Sequence, residues 1–403
     1  MSRLGSTWRH LSYSVPWSVP QWGWAELRAT LARVLTGRAR RGADQEHFVE
    51  AVRRYLGVRY AMGVDRGRTA IEIGLRAMGI GAGVDVVVPA YICASVVEGV
   101  ERSGARVVYA DVGADLNVTV GTIQAALTPA TRCVIVPHLF GRAAAVDDIE
   151  RSLAGTGIVV MDDAAQALGA RRAGRMVGSF GACGIVACGF GKPLAGAAGG
   201  VLVTNDPALF ERASTLAPEP EPGGVAARRL LAAWLWRRWR RVTLPLQVVL
   251  DRLGLRRAEP RHRSAGLANI DAAIGVVQLA SLEHHAAARR EHARQILAAY
   301  PWLRGMLTSD LGAEDLVLKL VAILPRGGPS VAEVIEELAA AGIECQPGYI
   351  PCHCGAAAIP LPVTDDLAHR VLWIPVELPL SGSAARRAAR TSAHLKASGA
   401  AAE

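Results

Sequence analysis

Between Tyr60 and Asp206 the chain repeats one pattern: a short run of β-branched residues, then a helix-periodic stretch. The runs are YAMGVD, VDVVVPAY, ARVVYADV, TRCVIVPHLF, GIVVMDDA, GACGIVACG and GGVLVTND; segments such as TAIEIGLRAMGIG and VDDIERSLAGTG separate most of them. Each run is apolar on both faces. Strands of that kind, alternating with helices, belong in a mainly parallel sheet covered by helices on both sides. The expected fold class is therefore α/β, with the large domain spanning 46–215. Residues 1–45 read as a Trp- and Pro-rich extension, 216–263 as a basic insertion rich in Trp and Arg, and 264–403 as a smaller C-terminal α+β domain.

Length and composition support a folded chain. At 403 residues it has room for roughly two or three domain-sized units. With 51% hydrophobic and 20% charged residues it is not disordered. The net charge of +9 is concentrated between Arg228 and Arg263, which describes one segment and argues against a nucleic-acid-binding fold. Seven cysteines scattered through apolar sequence do not form a disulfide framework. Cys352-His353-Cys354 has no second ligand pair at zinc spacing, so no metal is expected. The N-terminus lacks an apolar core with a small-residue cleavage site, and no apolar run approaches the roughly 20 residues that span a bilayer. The expected location is the cytoplasm.

Three features carry chemistry. In VDRGRTAIEIGL, residues 64–75, Gly67-Arg68-Thr69 falls where a strand becomes a helix, so backbone N–H groups there can hold a phosphate and Arg68 adds a cation. An ordinary capped helix start reads the same way. In VVMDDAAQALGA, residues 159–170, two aspartates end an apolar strand, where open α/β sheets place their ligands. One of them could instead cap a helix, with Gln166 completing a capping box. In CGFGKPLAGAAGG, residues 188–200, Lys192 is the one charge in a glycine- and alanine-rich run. Desolvation disfavours an ammonium in such a place and makes the amine a usable nucleophile; a solvated loop lysine is the alternative. Phosphate cup, strand-end aspartate and isolated lysine, in that order, match a pyridoxal 5'-phosphate site. They correspond to a phosphate anchor, a partner for the pyridinium nitrogen and the amine that forms a Schiff base.

The same stretches, GVDRGRTAIEIGLRAMGIGAGVDVVVPAY, DVGADLNVTVGTIQAALTPATRCVIVPHLFG, DDAAQALGARRAGRMVGSFGACG and GKPLAGAAGGVLVTND, resemble the DegT/StrS family of pyridoxal-phosphate-dependent sugar aminotransferases. The likeness continues at ANIDAAIGVVQLASLE, GYIPCHC and RVLWIPVELPL, covering roughly 46–215 and 264–395. It implies the fold-type-I architecture and a homodimer with shared active sites. It also implies a cofactor bound by Gly67, Arg68, Cys93, Asp163, Gln166 and Ser264, with Lys192 as the catalytic amine. Asp163 takes the place facing the pyridine nitrogen and Gln166 the place beside the ring hydroxyl, while His138 and Gly141 match a structural strand-end motif. Several positions depart from the family pattern. Ala187 replaces a phosphate-binding serine, Arg68 a threonine, Cys93 a ring-stacking aromatic and Ser264 an asparagine donated across the dimer. A glutamate in the glycine stretch is missing.

The function implied is transfer of an amino group from an amino-acid donor to a keto sugar, nucleotide-linked by the family's habit, or a similar carbonyl compound. Two alternatives share the cofactor: another reaction (dehydratase, condensing or racemising), or a membrane-associated protein without transaminase activity. Dehydratases of the family replace the lysine, so Lys192 argues against that branch. The insertion bears on the second alternative. ARRLLAAWLWRRWRR, residues 227–241, holds six arginines, three tryptophans and no acid. With Leu230, Trp234 and Leu235 read on one side, it suits peripheral membrane contact through 227–257, joined by Trp17, Trp22 and Trp24. A helical hairpin packed on the protein, and an arginine-lined pocket for an anionic substrate, are the other readings.

Overall fold

A computed structural model describes residues 13, 15–17, 21–196, 198–238, 262–308, 310–354 and 360–382. The β-branched runs form strands β1 (Tyr60–Val64), β2 (Asp85–Pro89), β3 (Arg106–Ala110), β4 (Thr131–Pro137) and β5 (Val159–Asp163). After a two-residue hairpin, β6 (Arg171–Arg172) with β7 (Arg175–Met176), come β8 (Cys183–Ala187) and β9 (Gly200–Thr204). Apart from the hairpin they make one sheet in the order β1-β9-β8-β5-β4-β2-β3. Its β2–β3, β2–β4, β4–β5 and β5–β8 pairs are parallel, and β9 alone runs antiparallel to its neighbours β1 and β8.

Strand periodicity assigns each side chain to a layer. Val86, Val88 and Ile135 pack on one face against the helices Gly67–Ala77 and Ala94–Ser103, while Val87, Val134 and Val136 pack on the other with Ile123, Val146 and Ile149. Every residue of β2, β8 and β9 is buried, which is why these runs read as apolar throughout rather than alternating. A second, antiparallel sheet of β10 (Lys319–Ile323), β11 (Gln346–Pro347) and β12 (Val371–Pro375) has the order β10-β12-β11 and its own core around Leu320, Ala322, Leu372 and Ile374.

Within the basic insertion lies helix Gly223–Arg238. It buries Ala226, Leu230 and Ala233 against Trp22, Ile270 and Ile274. Leu230 and Leu235 do not share a side, contrary to the sequence reading. Five residues at about 100° each set them roughly 140° apart, so Leu230 is fully buried and Leu235 is 57% exposed. Residues 239–257, the rest of the expected membrane segment, lie outside the described residues. Among the described residues no helix is long and apolar enough to cross a membrane.

Candidate active site

The carboxyl ends of β1, β2, β4, β5 and β8 lie on one edge of the sheet, and a cavity of about 320 Å³ opens there. Gly67, Arg68, Cys93, Asp163, Gln166 and Lys192 all line it, together with His138 and Ala187. Residues spread over 125 positions of sequence thus meet in one place because the parallel strands end there.

The two adjacent aspartates end the middle strand and have different tasks, since successive strand residues point to opposite faces. Asp162 faces away from solvent and is fully buried. Its Oδ2 accepts the N–H of Gly178 at 2.6 Å and of Phe180 at 2.8 Å, and its Oδ1 accepts from His138 Nε2. His138 Nδ1 in turn accepts the Ala144 N–H at 2.9 Å, which fixes the proton on Nε2. Asp162 and His138 therefore tie β4, β5 and the 178–180 turn together. Asp163 faces the cavity. Its Oδ1 accepts the Ala165 N–H at 2.9 Å, a local turn rather than a helix cap, and its carbonyl accepts the His138 N–H at 3.1 Å. Burial pushes its carboxyl above the ordinary aspartate range, and the Lys192 ammonium works against that shift.

Gln166 does not complete a capping box. Its Oε1 accepts the Phe140 N–H at 3.3 Å and its Nε2 donates to the Tyr349 hydroxyl at 3.0 Å. Tyr349, from the distant GYIPCHC segment, is itself seated on Tyr91, whose hydroxyl accepts the Tyr349 N–H at 3.2 Å. Sequence reasoning noticed the segment but not this tyrosine, whose role depends on a contact across 183 positions.

The phosphate cup is a bare helix start. Arg66 occupies the N-cap with no side-chain cap, and the N–H groups of Thr69 and Ala70 turn back to its carbonyl. Those of Gly67 and Arg68, ahead of them, have no acceptor within the helix. A Cβ on Gly67 would stand 3.1 Å from the Ala187 Cβ, a tight contact that only a small shift of Ala187 would relieve. The Arg68 guanidinium is held by Glu98, which also pairs with Arg102. Its charge is shared with a carboxylate. Cys93 stands at the N-cap position of helix Ala94–Ser103, with no side-chain bond to the helix, at the cavity wall. Ser264 lies outside the cavity, on a neighbouring open groove, where its hydroxyl donates to Glu72 at 2.6 Å and accepts from Arg102 at 2.7 Å. In the CHC stretch, His353 Nε2 pairs with Asp365 at 2.9 Å and the Cys352 thiol donates to the Ile92 carbonyl at 3.4 Å.

Lys192 sits in a tight loop in which its N–H donates to the Gly189 carbonyl at 3.1 Å and Gly191 takes a left-handed φ of +73°. Its Nζ has no hydrogen bond or ion pair among the described residues. An unpartnered amine, a buried carboxyl and a helix start without a cap, around one cavity, fit an aldehyde cofactor with a cationic ring nitrogen and a phosphate. The site defines a pyridoxal-phosphate enzyme of fold type I. The chain belongs to the DegT/DnrJ/EryC1/StrS aminotransferase family, whose model matches residues 24–391. It is 29% identical over 329 residues to the GDP-perosamine synthase of Caulobacter vibrioides, covering 79% of this chain and 80% of that one. It is 35% identical over 192 residues to the dTDP-3-amino-3,4,6-trideoxy-alpha-D-glucose transaminase of Streptomyces venezuelae, covering 47% and 50%. The solved aminotransferase TlmJ of Streptoalloteichus hindustanus superposes with a TM-score of 0.76 over 95% of this chain and 99% of its own, at 24% identity, which speaks to the fold. The protein is a pyridoxal-phosphate-dependent aminotransferase.

Proposed function

We propose that this aminotransferase moves an amino group from an amino-acid donor to the keto carbon of a nucleotide-linked sugar. The observation that carries it is the meeting of Lys192 and Asp163 in one cavity at the strand ends. The names of the relatives supply the substrate class. Bound pyridoxal phosphate supplies an aldehyde for the amine and a ring that draws electrons from the carbon losing its proton. Asp163 would hold a proton on the ring nitrogen: among the described residues its side chain accepts only the Ala165 N–H, on Oδ1, which leaves its second oxygen for that task. Lys192 Nζ is the base that takes the proton from the donor carbon and returns it. The amides of Gly67 and Arg68 would hold the phosphate in place of the missing serine hydroxyl, and Gln166, fixed at both ends, would stand beside the ring.

Borohydride reduction of the purified protein tests this. The cofactor should become fixed on the peptide carrying Lys192, and Lys192→Ala should lose both the adduct and transamination. Attachment to another lysine, or full activity of the variant, would overturn the reading.

The same reading makes the enzyme a cytoplasmic homodimer. Ser264 lies off its own chain's cavity, as a residue serving the partner's site would, and all seven cysteines are free thiols. Sedimentation at working concentration checks the dimer. Peripheral membrane contact rests on two touching helices, Trp24–Leu35 and Gly223–Arg238. Each leaves an outward stripe at helical spacing: Trp24, Arg28, Leu31 and Leu35 on the first, and Val225, Arg228, Leu231 and Leu235 on the second. Flotation of the full chain with anionic vesicles should fail for Leu231→Glu/Leu235→Glu. Equal flotation of that variant, or none by the parent, would remove the membrane contact.

A further inference from the structure

The loop that carries Lys192 is held from outside by residues that the reaction itself does not use. Both backbone polar groups of Ala195, three residues after the lysine, are bound by side chains from other elements. Its N–H donates to Gln278 Oε1 at 3.2 Å, and its carbonyl accepts from the indole N–H of Trp22. Gln278 is fully buried and has no freedom left, since its Nε2 donates to Glu26 Oε1 at 2.7 Å and to the Gln21 carbonyl at 3.4 Å. Trp22 is 1% exposed. Its ring lies 5.7 Å from that of Phe190, two residues before the lysine and part of the cavity wall, and 6.0 Å from that of Trp234 on the insertion helix. Trp22 also lies just ahead of residues 24–391, the stretch that the family model covers.

A run as rich in glycine as 188–200 has an unusually large conformational freedom to lose, so its shape depends on fixed points. The ends of the run are tied to the sheet, with the Cys188 N–H on the Gly199 carbonyl at 2.9 Å and the Gly199 N–H on the Asp65 carbonyl at 2.7 Å. Between them, among the described residues, the loop's own backbone bonds are short turns: Gly189 N–H to the Leu194 carbonyl, Lys192 N–H to the Gly189 carbonyl and Gly196 N–H to the Leu194 carbonyl. The turn bonds do not set the position of 189–196 relative to the sheet. Trp22 and Gln278 do, on the lysine's C-terminal side, and the Trp22–Phe190 contact does so on its N-terminal side.

We propose that Trp22 is a positioning residue for Lys192: the N-terminal arm clamps the lysine loop from behind the cavity and joins it to the seat of the insertion helix. The proposal rests on Lys192 as the cofactor-binding amine, but one arm of its test needs no cofactor. Trp22→Phe keeps an aromatic, though smaller, ring and removes the N–H donor, leaving the buried Ala195 carbonyl unsatisfied. In cofactor-free protein, amide exchange of peptides spanning 189–196 should quicken roughly ten-fold or more, while peptides of β4 and β5 hold their parent rates. In loaded protein, the pH midpoint of the cofactor's absorbance should move, with kcat reduced and KM for the donor little changed. Trp22→Ala should enlarge each effect; if it does not fold, Trp22→Phe still decides. Parent exchange rates at 189–196 with an unmoved midpoint would overturn the proposal, as would quickening spread evenly over the chain. If the parent protein fixes cofactor elsewhere than on Lys192, the functional reading fails, and the exchange result separately reports whether the clamp exists.

Discussion

Neighbouring aspartates with opposite duties permit a sharp comparison: Asp162→Asn should cost stability, and Asp163→Asn should cost activity. At position 162 the carboxylate accepts three hydrogen bonds in a fully buried place, two from backbone amides on Oδ2 and one from His138 on Oδ1. An asparagine has one acceptor oxygen. If that oxygen serves Gly178 and Phe180, its NH₂ meets the His138 Nε2–H, donor against donor. His138 cannot escape by moving its proton to Nδ1, because Nδ1 must accept from Ala144. One buried charge-assisted bond is lost and one donor is stranded, at a cost of about 3–5 kcal/mol. At position 163 an asparagine keeps the turn bond from Ala165 and relieves a desolvated carboxylate, so stability should hold or rise slightly. The ring nitrogen would lose its anionic partner, and transamination should fall by roughly 10²-fold or more. Chemical denaturation of the cofactor-free variants, followed by kcat/KM on the loaded ones, reads both axes. Parent-like stability in Asp162→Asn, or equal destabilisation by both, would refute the division of labour.

Three further outcomes follow from the same geometry. Gly67→Ala should weaken cofactor binding about ten-fold, because the new methyl crowds Ala187 at 3.1 Å; adding Ala187→Gly should restore it, as equilibrium dialysis can measure. Gly141→Ala should destabilise by about 2 kcal/mol or more by thermal denaturation, since Gly141 has φ +91° and its Cβ would lie 2.5 Å from the Leu318 nitrogen. Asp65 and His262, 3.1 Å apart beside the phosphate cup, should show opposed pH effects. Burial raises Asp65 to about 6, which makes the fold lose stability as pH rises from about 4 to 6. Burial and the arginines around it lower His262 to about 4, which makes the fold gain stability over about pH 4 to 6.5. The two nearly cancel in the parent. Asp65→Asn should expose the rising slope and His262→Gln the falling one, in denaturation midpoints followed against pH.

Much of the fold was legible because a buried parallel sheet leaves a strong mark: runs such as VDVVVP have no polar face to hide them. The reversed direction of β9 left none, because GGVLVTND would read identically in either orientation. In the site, Gly67, Asp163 and Lys192 were visible as chemistry out of place in apolar sequence. The strand period separates Asp162 from Asp163, whereas the capping-box pattern does not tell them apart. The partners of these residues were not visible. Glu98 on Arg68, Tyr349 on Gln166 and Trp22 on Ala195 meet their targets over 30, 183 and 173 positions, through folding rather than local pattern. On the insertion helix the spacing alone sets Leu230 and Leu235 about 140° apart, but its composition is uniform around the axis, and packing against Trp22 and Ile270 decides that Leu230 is the one inside.

We assign the transfer of an amino group to a keto sugar to Lys192, Asp163 and the Gly67 cup acting together. A stopped-flow half-reaction tests it most directly. An amino-acid donor alone should convert the bound cofactor from its aldehyde to its amine form in one turnover. A nucleotide-linked keto sugar added afterwards should restore the aldehyde form and yield one equivalent of aminosugar. Failure of the donor to convert the cofactor, or conversion that no keto sugar reverses, would contradict the account.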